Sequence, residues 1–338
     1  MTISEIAERS NVSKATVSRV LNHTGYVSKD VAERVLRVIE ETGYVPSAAA
    51  RRLSKQSSDT IGVIISEITN PYFAKAVEGI GDVADAKGLN VFFYNTDANE
   101  EKEKKALYMM RKQQVSGIII APTVDFDDIS SRKAFNEAID QLQCPLVFLD
   151  ASIDMTSHDG AFFDNTMGAY TAVSAMIEAG YRDIGILTGN RKVKTVRDRY
   201  NGYVRALCDN NLKLDLSHVF EGDFTIDTAY KVMSDAIRSG NLPEALFTSN
   251  NLSTIGFMKA ALEAGIDLEK DVACISFDKA EAADIFGIKY NYLERDPQKM
   301  GQAAMQLLID RIENPDMPCT RKIIPSSIVL QKNRKSNR

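Results

Sequence analysis

The chain has 338 residues, in which 41 lysines and arginines stand against 46 aspartates and glutamates, for a formal net charge of −5. Its length predicts about two domains, and its hydrophobic fraction of 44% and charged fraction of 26% exclude a disordered or fibrous protein. No apolar run approaches the roughly 18 residues of a membrane-spanning helix, and the N-terminus lacks the basic-then-apolar pattern of a signal peptide. These features predict a cytoplasmic protein that does not enter a membrane.

The charge is unevenly distributed along the chain. Residues 1–58 carry nine basic and six acidic side chains, a balance of +3, whereas residues 59–338 carry 32 basic and 40 acidic ones, a balance of −8. Opposite signs in two segments of one chain indicate an attached module that binds nucleic acid or a membrane surface. The alternative is a chance fluctuation in a small segment, which charge alone does not exclude.

The N-terminal segment predicts three short helices. Thr2 and Glu5 fit a capping box at the start of the first helix, and apolar residues then recur at helical spacing. A second, basic helix is predicted over 14–21 and a third over 29–42, where Gly43 ends it. Two short helices joined by a tight turn are typical of a helix-turn-helix motif, whose second helix enters the major groove of DNA. A small helical bundle used for protein contact is the alternative.

The rest of the chain alternates strands with helices. The predicted strands are short apolar runs at 61–66, 91–95, 117–122, 145–150, 184–189, 219–223, 245–250 and 272–278. The predicted helices separate most of them, at 73–87, 100–113, 167–180, 198–210, 228–239 and 253–264. This alternation predicts parallel sheets covered by helices on both faces. Two such halves fit the length, and a small ligand is expected in the cleft between them.

Two runs near the N-terminus carry a specific family resemblance, TISEIAERSNVSKATVSRVLN and VSKDVAERVLRVIEETGYVPSAAARRL. Both closely resemble the headpiece of the LacI/GalR family of bacterial transcriptional regulators. The match is long, ungapped and in the same order, and it continues through the chain with less specific motifs. The resemblance implies an all-α helix-turn-helix headpiece and an α/β periplasmic-binding-protein-like core of two Rossmann-like subdomains.

The resemblance also implies domain boundaries. The headpiece is expected at residues 1–46, a hinge helix and linker at 47–59, and an effector-binding and dimerisation core at 60–338. In this fold the chain crosses three times between the subdomains, here expected near Ala161, Ile288 and Thr320. The first subdomain then comprises about 60–160 and 289–319, and the second about 161–288 and 320–338.

The family's recognition helix reads operator bases with its first positions, which here are Lys14 and Ala15, and with Arg19 one turn later. Lysine and arginine suit the acceptors of guanine, whereas Ala15 offers an apolar contact such as to a thymine methyl. The alternative for Arg19 is a solvated helix face. Phosphate contacts that set the register are expected from Thr2, Ser13, Thr16, Ser18 and Asn22.

A short helix between the two domains resembles the family's hinge helix. Ser47 is positioned to cap it, and Ala50 and Leu53 belong to it. The resemblance implies that the helix folds on DNA and pairs with that of a dimer mate in the minor groove, where Leu53 would be the wedge that kinks the duplex. A plain interdomain linker is the alternative.

Residues at strand ends resemble the family's effector site. Aromatic side chains stack on the effector in the family, and an arginine facing an aspartate across sugar hydroxyls gives directional hydrogen bonds. The aromatic pair Tyr72 and Phe73 could equally pack at the start of the following helix. The resemblance implies effector contacts from Asn70, Tyr72, Phe73, Thr195, Arg199, Phe224, Asn250 and Asp278, with Phe224 and the further candidate Asp164 the weaker assignments.

Two departures from the family pattern lie near the expected cleft. The family usually has an aspartate where this chain has Asn251, and residues 290–297 replace its T-x-x-x-Q-P segment. Five cations between Arg191 and Arg199 permit an acidic effector, although loop cations are more often solvated. The effector is therefore expected to be a sugar, a sugar acid or a sugar phosphate.

Competing chemistry has little support in the sequence. The G-x-G-x-x-A run at 79–84 falls inside a predicted helix rather than after a strand, so it does not predict a nucleotide site. The three histidines are scattered, and the four cysteines form no C-x-x-C pair. We therefore predict no catalytic residues, no metal and no cofactor, and expect a regulator rather than an enzyme or a transport protein. The expected function is repression of carbohydrate-utilisation genes by a homodimer that binds a pseudo-palindromic operator and a small-molecule effector.

Overall fold

The computed structural model describes residues 1–22, 24–44, 58–151, 158–268 and 270–331. The chain divides into two compact units, Met1–Ser58 and Asp59–Arg338. The helices of the first unit are α1 (Ile3–Arg9), α2 (Lys14–Asn22) and α3 (Lys29–Thr42).

The first unit confirms the predicted helix starts and ends. Glu5 donates its backbone N–H to the Thr2 hydroxyl at 3.4 Å, and the Thr2 N–H donates to the Glu5 carboxylate at 2.7 Å, which completes the capping box. Gly43 ends α3 with a φ of +59°, a left-handed conformation that glycine adopts without strain. The three helices bury a small apolar core formed by Ile6, Ala7, Val17, Val20 and Val35.

The second unit alternates strands with helices, as predicted. Its strands are β1 (Thr60–Ile65), β2 (Asn90–Asn95), β3 (Gly117–Ile120), β4 (Leu146–Leu149), β5 (Asp159–Phe162), β6 (Ile184–Thr188), β7 (Val219–Glu221), β8 (Ala245–Thr248), β9 (Ala273–Ser276), β10 (Asn291–Glu294), β11 (Arg321–Ile323) and β12 (Ser327–Val329). Its helices are α4 (Pro71–Ala86), α5 (Glu100–Gln113), α6 (Ile129–Asp140), α7 (Asn165–Glu178), α8 (Lys194–Asp209), α9 (Ile226–Arg238), α10 (Asn251–Glu263), α11 (Glu281–Ile285) and α12 (Pro297–Glu313).

These strands form two six-stranded sheets, one in each subdomain. The order in the first is β11-β5-β4-β3-β1-β2, and the order in the second is β12-β10-β9-β8-β6-β7. Neighbouring strands run parallel except β12, which pairs antiparallel with β10. Apolar clusters cover both faces of each sheet, as parallel strands with helical crossovers require.

The chain crosses between the subdomains later than predicted. The crossings lie at 163–164, 295–296 and 324–326, rather than near Ala161, Ile288 and Thr320. The difference arises because β5, β10 and β11 each add one more strand to their sheet before the chain leaves it. These strands have only three or four residues, DGAF, NYLE and RKI, whose mixed composition gives no strand signal.

The G-x-G-x-x-A run lies inside α4, as expected, and one of its glycines has a packing role. A Cβ on Gly79 would lie 2.1 Å from the carbonyl oxygen of Gln298 on α12. Gly301 is equally close to α4, since its Cβ would lie 2.0 Å from the carbonyl oxygen of Ala76. The two glycines therefore let α4 and α12 pack backbone to backbone against the first sheet.

Glu103 makes the stability of the first subdomain dependent on pH. This α5 carboxyl is 1% exposed and accepts hydrogen bonds from the Thr123 N–H at 2.6 Å and the Thr123 hydroxyl at 3.0 Å. Burial raises the pKa of Glu103 from its ordinary value of 4.5 to about 7. The folded state therefore holds the proton of the Glu103 carboxyl more tightly than the unfolded chain does. The stability that this protonation contributes is complete below about pH 4.5 and is lost as the pH rises through 7.

A Glu103→Gln variant should lack this loss of stability between pH 5 and pH 8. The difference between the pKa of the folded and unfolded states corresponds to about 3 kcal/mol of unfolding free energy, so we expect the variant to be the more stable protein above pH 8. Urea unfolding at several pH values measures the effect. Glu101→Gln is the matched control, because the Glu101 side chain on the same helix is 80% exposed. Parallel pH profiles for Glu103→Gln and the original protein would contradict this prediction.

Candidate effector cleft and DNA-reading helix

Helix α2 turns a polar face to solvent and an apolar face to the core of the first unit. Val17 and Val20 are buried, whereas Lys14, Ala15 and Arg19 are exposed. The side chains expected to read bases therefore share the accessible side of the helix. The turn from α1 to α2 includes Asn11 with a φ of +52°, a conformation that asparagine tolerates better than most residues.

The residues expected to contact phosphate occupy different settings. The Thr2 hydroxyl caps α1, and the Ser13 hydroxyl accepts the Thr16 N–H at 3.1 Å and lies 2.9 Å from the Thr16 hydroxyl. Ser18 is partly buried, and Asn22 is the last residue of α2, with a side chain outside the described part of the structure. The hinge residues Ser47, Ala50 and Leu53 also lie outside the described residues.

Sequence reasoning missed one exposed aromatic residue in this unit. Tyr26 lies between α2 and α3 and is 91% exposed. A tyrosine on the surface beside a basic helix is a candidate to donate a hydrogen bond to a DNA phosphate. The available signal was an aromatic residue in a polar loop, next to a glycine and outside any apolar periodicity.

The candidate effector cleft lies at the carboxyl ends of the strands of both sheets. Asn70 follows β1 and begins α4, Asp150 follows β4, and Asp278 follows β9, while Arg199 projects from α8. Ligands of open α/β sheets bind at this edge, because the strand ends and helix starts there leave polar groups free. The second crossing adds Arg295, which was not among the predicted site residues.

Arg199 is buried in the second subdomain with its guanidinium fixed. It donates from Nε to Asn165 Oδ1 at 2.8 Å and from Nη1 to the Ser249 carbonyl at 2.6 Å. The guanidinium carbon lies 4.0 Å from the centre of the Phe277 ring and 5.8 Å from that of Phe224. Burial, and then the charge of Arg295, lower the pKa of Arg199. The arginine is therefore oriented by the protein before any effector binds.

Asp278 contacts both arginines of the cleft. Its Oδ1 accepts hydrogen bonds from Arg295 Nε at 2.7 Å and from Arg295 Nη2, and its Oδ2 lies 4.0 Å from Arg199 Nη1. Arg295 Nη1 also donates to the Tyr72 hydroxyl at 3.4 Å and lies 3.7 Å from Asp150 Oδ1. Arginine and aspartate do face each other in the cleft, but Arg295 takes up the carboxylate that was expected to bind hydroxyls.

The amide residues of the cleft connect the subdomains. Asn251 donates from Nδ2 to Asn70 Oδ1 at 3.1 Å, and the same oxygen accepts the Tyr72 N–H at 3.1 Å. An aspartate at 251 would place a carboxylate against that oxygen with no hydrogen to donate, which gives this departure from the family pattern a structural reason. Asn250 instead caps α10, because its Oδ1 accepts the Ser253 N–H, and its Nδ2 donates to the Phe224 carbonyl.

The remaining predicted residues lie at the margin. Phe73 packs against the core of the first subdomain, edge-on to Tyr72 at 5.3 Å between ring centres, which favours the packing alternative for this residue. Thr195 is partly buried in the first turn of α8. Asp164 caps α7 by accepting the Met167 N–H at 2.8 Å, a structural role.

The basic loop before α8 does not form a cluster of free cations. Arg191 pairs with Glu221, Lys194 pairs with Asp198, and of the five cations only Arg199 reaches the cleft contacts described above. Arg197 pairs with Asp127 of the first subdomain. A second ion pair between the subdomains joins Lys75 of α4 to Glu281 of α11. The two subdomains are thus held together at the cleft by ion pairs and by the asparagine contact.

Little space remains between the subdomains in this closed arrangement. A cavity of about 50 Å³ is lined by residues including Tyr72, Asn251, Asp278 and Arg295. A larger cavity of about 260 Å³ lies between α5 and α6, away from the strand ends. We assign the site to the smaller one, because the buried residues Arg295 and Asp278 line it.

Comparison with known proteins identifies both units. The model of the periplasmic binding proteins and sugar-binding domain of the LacI family matches residues 58–334, and that of the bacterial regulatory proteins of the lacI family matches residues 2–47. The chain belongs to the LacI family. Its fold is that of the family, with a helix-turn-helix headpiece and a periplasmic-binding-protein-like core of two subdomains.

Several regulators of the LacI family match this chain over almost its whole length. The HTH-type transcriptional repressor PurR of Haemophilus influenzae (strain PittEE) is 30% identical over 99% of both chains. The Lac repressor dimer bound to operator and the anti-inducer ONPF covers 98% of both chains at 25% identity, with a TM-score of 0.86. The transcriptional regulator CelR in complex with cellobiose shares the fold, with a TM-score of 0.71, 23% identity and 98% of both chains covered. The chain is accordingly a DNA-binding transcriptional repressor of this family with an effector-binding core.

None of the helices in the described ranges is long and apolar enough to cross a membrane. Nor do histidine, cysteine, aspartate and glutamate side chains of those ranges gather in groups of three or more that could hold a metal ion.

Proposed function

We propose that this chain is a cytoplasmic, effector-controlled repressor of carbohydrate-utilisation genes that binds a pseudo-palindromic operator as a homodimer. The observation that carries the proposal is the exposed basic face of α2, with Lys14 and Arg19 outward and Val17 and Val20 buried. The LacI-family relatives that bind operator as a dimer, or hold cellobiose, support the homodimer and the carbohydrate effector.

The effector acts by changing how tightly the two subdomains close. Arg295 lies at a crossing and contacts Asp278 of the second subdomain and Asp150 of the first, so a ligand in the cleft alters contacts on both sides. To shift the operator from mostly occupied to mostly free, an effector needs a differential affinity on the order of 10⁴-fold between the two states. Buried charge-assisted hydrogen bonds can supply such a difference, because each is stronger than a neutral one.

Operator binding is tested by selection from a library of random DNA duplexes, followed by gel-shift titration of the selected sequence. We expect a selected site with two inverted half-sites, bound by two copies of the chain, and an affinity that falls steeply with salt because phosphate contacts release counterions. Recovery of no preferred sequence, or of a single half-site bound by one copy, would refute operator binding as proposed.

The hinge segment supplies a second contact with the operator. By resemblance to the family, Leu53 enters the minor groove, so Leu53→Ala should weaken operator binding, by about tenfold or more if the bent duplex is no longer stabilised. Effector affinity should stay unchanged, because the cleft residues belong to the core. Gel-shift titration and calorimetry measure the two affinities. Equal operator affinity of the variant and the original protein would remove the wedge role of Leu53.

A further inference from the structure

Arg295 lies where aromatic walls of the cleft converge. Its guanidinium carbon is 4.5 Å from the centre of the Tyr72 ring, 4.7 Å from that of Phe163 and 4.7 Å from that of Phe277. Tyr72 and Phe163 belong to the first subdomain and Phe277 to the second. The chain therefore places a permanent cation between aromatic rings of both subdomains.

The two buried arginines share one carboxylate. Arg199 and Arg295 both lie over the Phe277 ring, at 4.0 and 4.7 Å, and Asp278 lies within 4.0 Å of both. Asp150 approaches Arg295 only to 3.7 Å, beyond hydrogen-bond distance, and burial raises the pKa of Asp150. Among the described residues, Asp278 is therefore the only carboxylate that accepts a hydrogen bond from either arginine.

The surrounding hydrogen bonds leave donors and acceptors free in a definite pattern. Arg199 donates from Nε and Nη1, and its Nη2 makes no hydrogen bond with the described residues. Asp150 Oδ1 and Asn251 Oδ1 are buried and likewise have no hydrogen-bond partner in the described part of the chain. A guanidinium edge suits an anionic oxygen, and the two acceptors suit hydroxyl donors.

We propose that the effector is a small polyhydroxy anion, that its acidic group is bound by Arg295 together with Arg199, and that Arg295 makes the cleft prefer an acid to the corresponding neutral sugar. The proposal rests on the proposed function only in taking this cleft as the effector site. A neutral sugar would have to take Asp278 from two charge-assisted hydrogen bonds with Arg295, whereas an anion accepts hydrogen bonds from the guanidinium groups and leaves Asp278 in place.

The cations at 191–197, in the loop before α8 and in its first turn, are not the source of this selectivity. Arg191, Lys194 and Arg197 are each paired with a carboxylate. The lysines at the edge of the cavity are paired as well, Lys75 with Glu281 and Lys279 with Asp284. The buried pair Arg199 and Arg295 therefore provides the anion-binding edge.

Calorimetric titration of the full chain with matched pairs of compounds tests the proposal. The pairs are D-glucose with D-glucuronate and D-galactose with D-galacturonate, with D-gluconate and glucose 6-phosphate as further acids. We expect at least one acid to bind at least about tenfold more tightly than the neutral sugar it derives from. Binding of the uronates or gluconate identifies a carboxylate ligand, and binding of glucose 6-phosphate alone identifies a phosphate.

Variants of Arg295 assign the preference to this residue. Arg295→Gln should reduce the acid-to-neutral ratio of affinities to about one, and Arg295→Lys, which keeps the charge but loses the two-pronged contact, should retain part of it. Arg205→Gln is the control for a lost positive charge, because Arg205 is an exposed residue of α8 outside the cleft. Thermal melting confirms that each variant is folded.

Three results would overturn the proposal: neutral sugars that bind as tightly as their acids, an unchanged ratio in Arg295→Gln, or no binding by any of the acids. Operator binding by the same preparation, measured without any sugar, reports separately on the proposed function. A protein that prefers acids but binds no operator would refute the function and leave the ligand assignment intact.

Discussion

Arg19→Ala is expected to abolish specific operator binding at physiological salt. Arg19 is exposed on the outer face of α2, and an arginine that contacts guanine through two hydrogen bonds contributes about 1–3 kcal/mol of discrimination. A dimer on a palindromic site makes this contact twice, so the loss doubles to about 2–6 kcal/mol, an affinity decrease of about 30-fold to 10⁴-fold. Gel-shift titration with the selected operator measures the decrease.

The fold of the headpiece should not change in this variant. Arg19 is exposed and the headpiece core is formed by other residues, so we expect the melting temperature to stay within about a degree or two. Arg37→Ala is the matched control, because Arg37 is an exposed arginine on α3 of the same unit. Loss of Arg37 should weaken binding to all DNA sequences alike. Equal losses in the two variants would show that Arg19 contributes general electrostatic attraction and does not read a base.

The sequence predicted the parallel sheets well, because their inner strands are runs of apolar residues. GVII in β1, GIII in β3 and ALFT in β8 are flanked by polar residues, and their burial on both faces leaves a signal that needs no tertiary information. The edge strands β11 and β12 have three residues each, RKI and SIV, and are largely exposed. Their pairing depends on the neighbouring strand, so local patterns could not predict them.

The cleft shows a similar division. Arg199 and Asp278 were expected to meet from motifs 79 residues apart, and the structure places them in contact. Arg295 was missed, although residues 290–297 were recognised as unusual. Asp278 lies 17 residues earlier, but its other partners Asp150 and Tyr72 lie far away in the sequence, so the role of this arginine becomes apparent only when both sheets are assembled around it.

The five cations between Arg191 and Arg199 show why a run of charge does not by itself predict an anion site. Three of them pair with carboxylates, those of Glu221, Asp198 and Asp127. Exposed ion pairs contribute little, because holding two long side chains together costs conformational entropy. Buried arginines are the more informative feature, and burial cannot be observed in a sequence.

Arg199→Ala is expected to abolish the response to effector and retain operator binding. Arg199 supplies two of the buried hydrogen bonds that fix the cleft, to Asn165 and to the Ser249 carbonyl, and it contributes one of the two guanidinium groups. Loss of a charge-assisted contact with an effector costs about 1.5–3 kcal/mol, and a guanidinium that makes two such contacts accounts for a decrease in effector affinity of about 10²-fold to 10⁴-fold.

The same substitution should also destabilise the core by about 1–3 kcal/mol, because it leaves the Asn165 and Ser249 acceptors without their donor. Arg199→Lys keeps the charge and separates this structural loss from the loss of binding, while Arg205→Ala controls for the removal of an exposed arginine from the same helix. Operator affinity is measured with and without the acid that binds best, and effector affinity by calorimetry.

If Arg199→Ala still binds the effector but no longer responds to it, the arginine couples closure of the cleft to DNA binding; if it still responds normally, the cleft lies elsewhere. Since Arg199 and Arg295 share Asp278, the double substitution should cost less than the sum of the two single ones, and this non-additivity would demonstrate that the two arginines are energetically coupled.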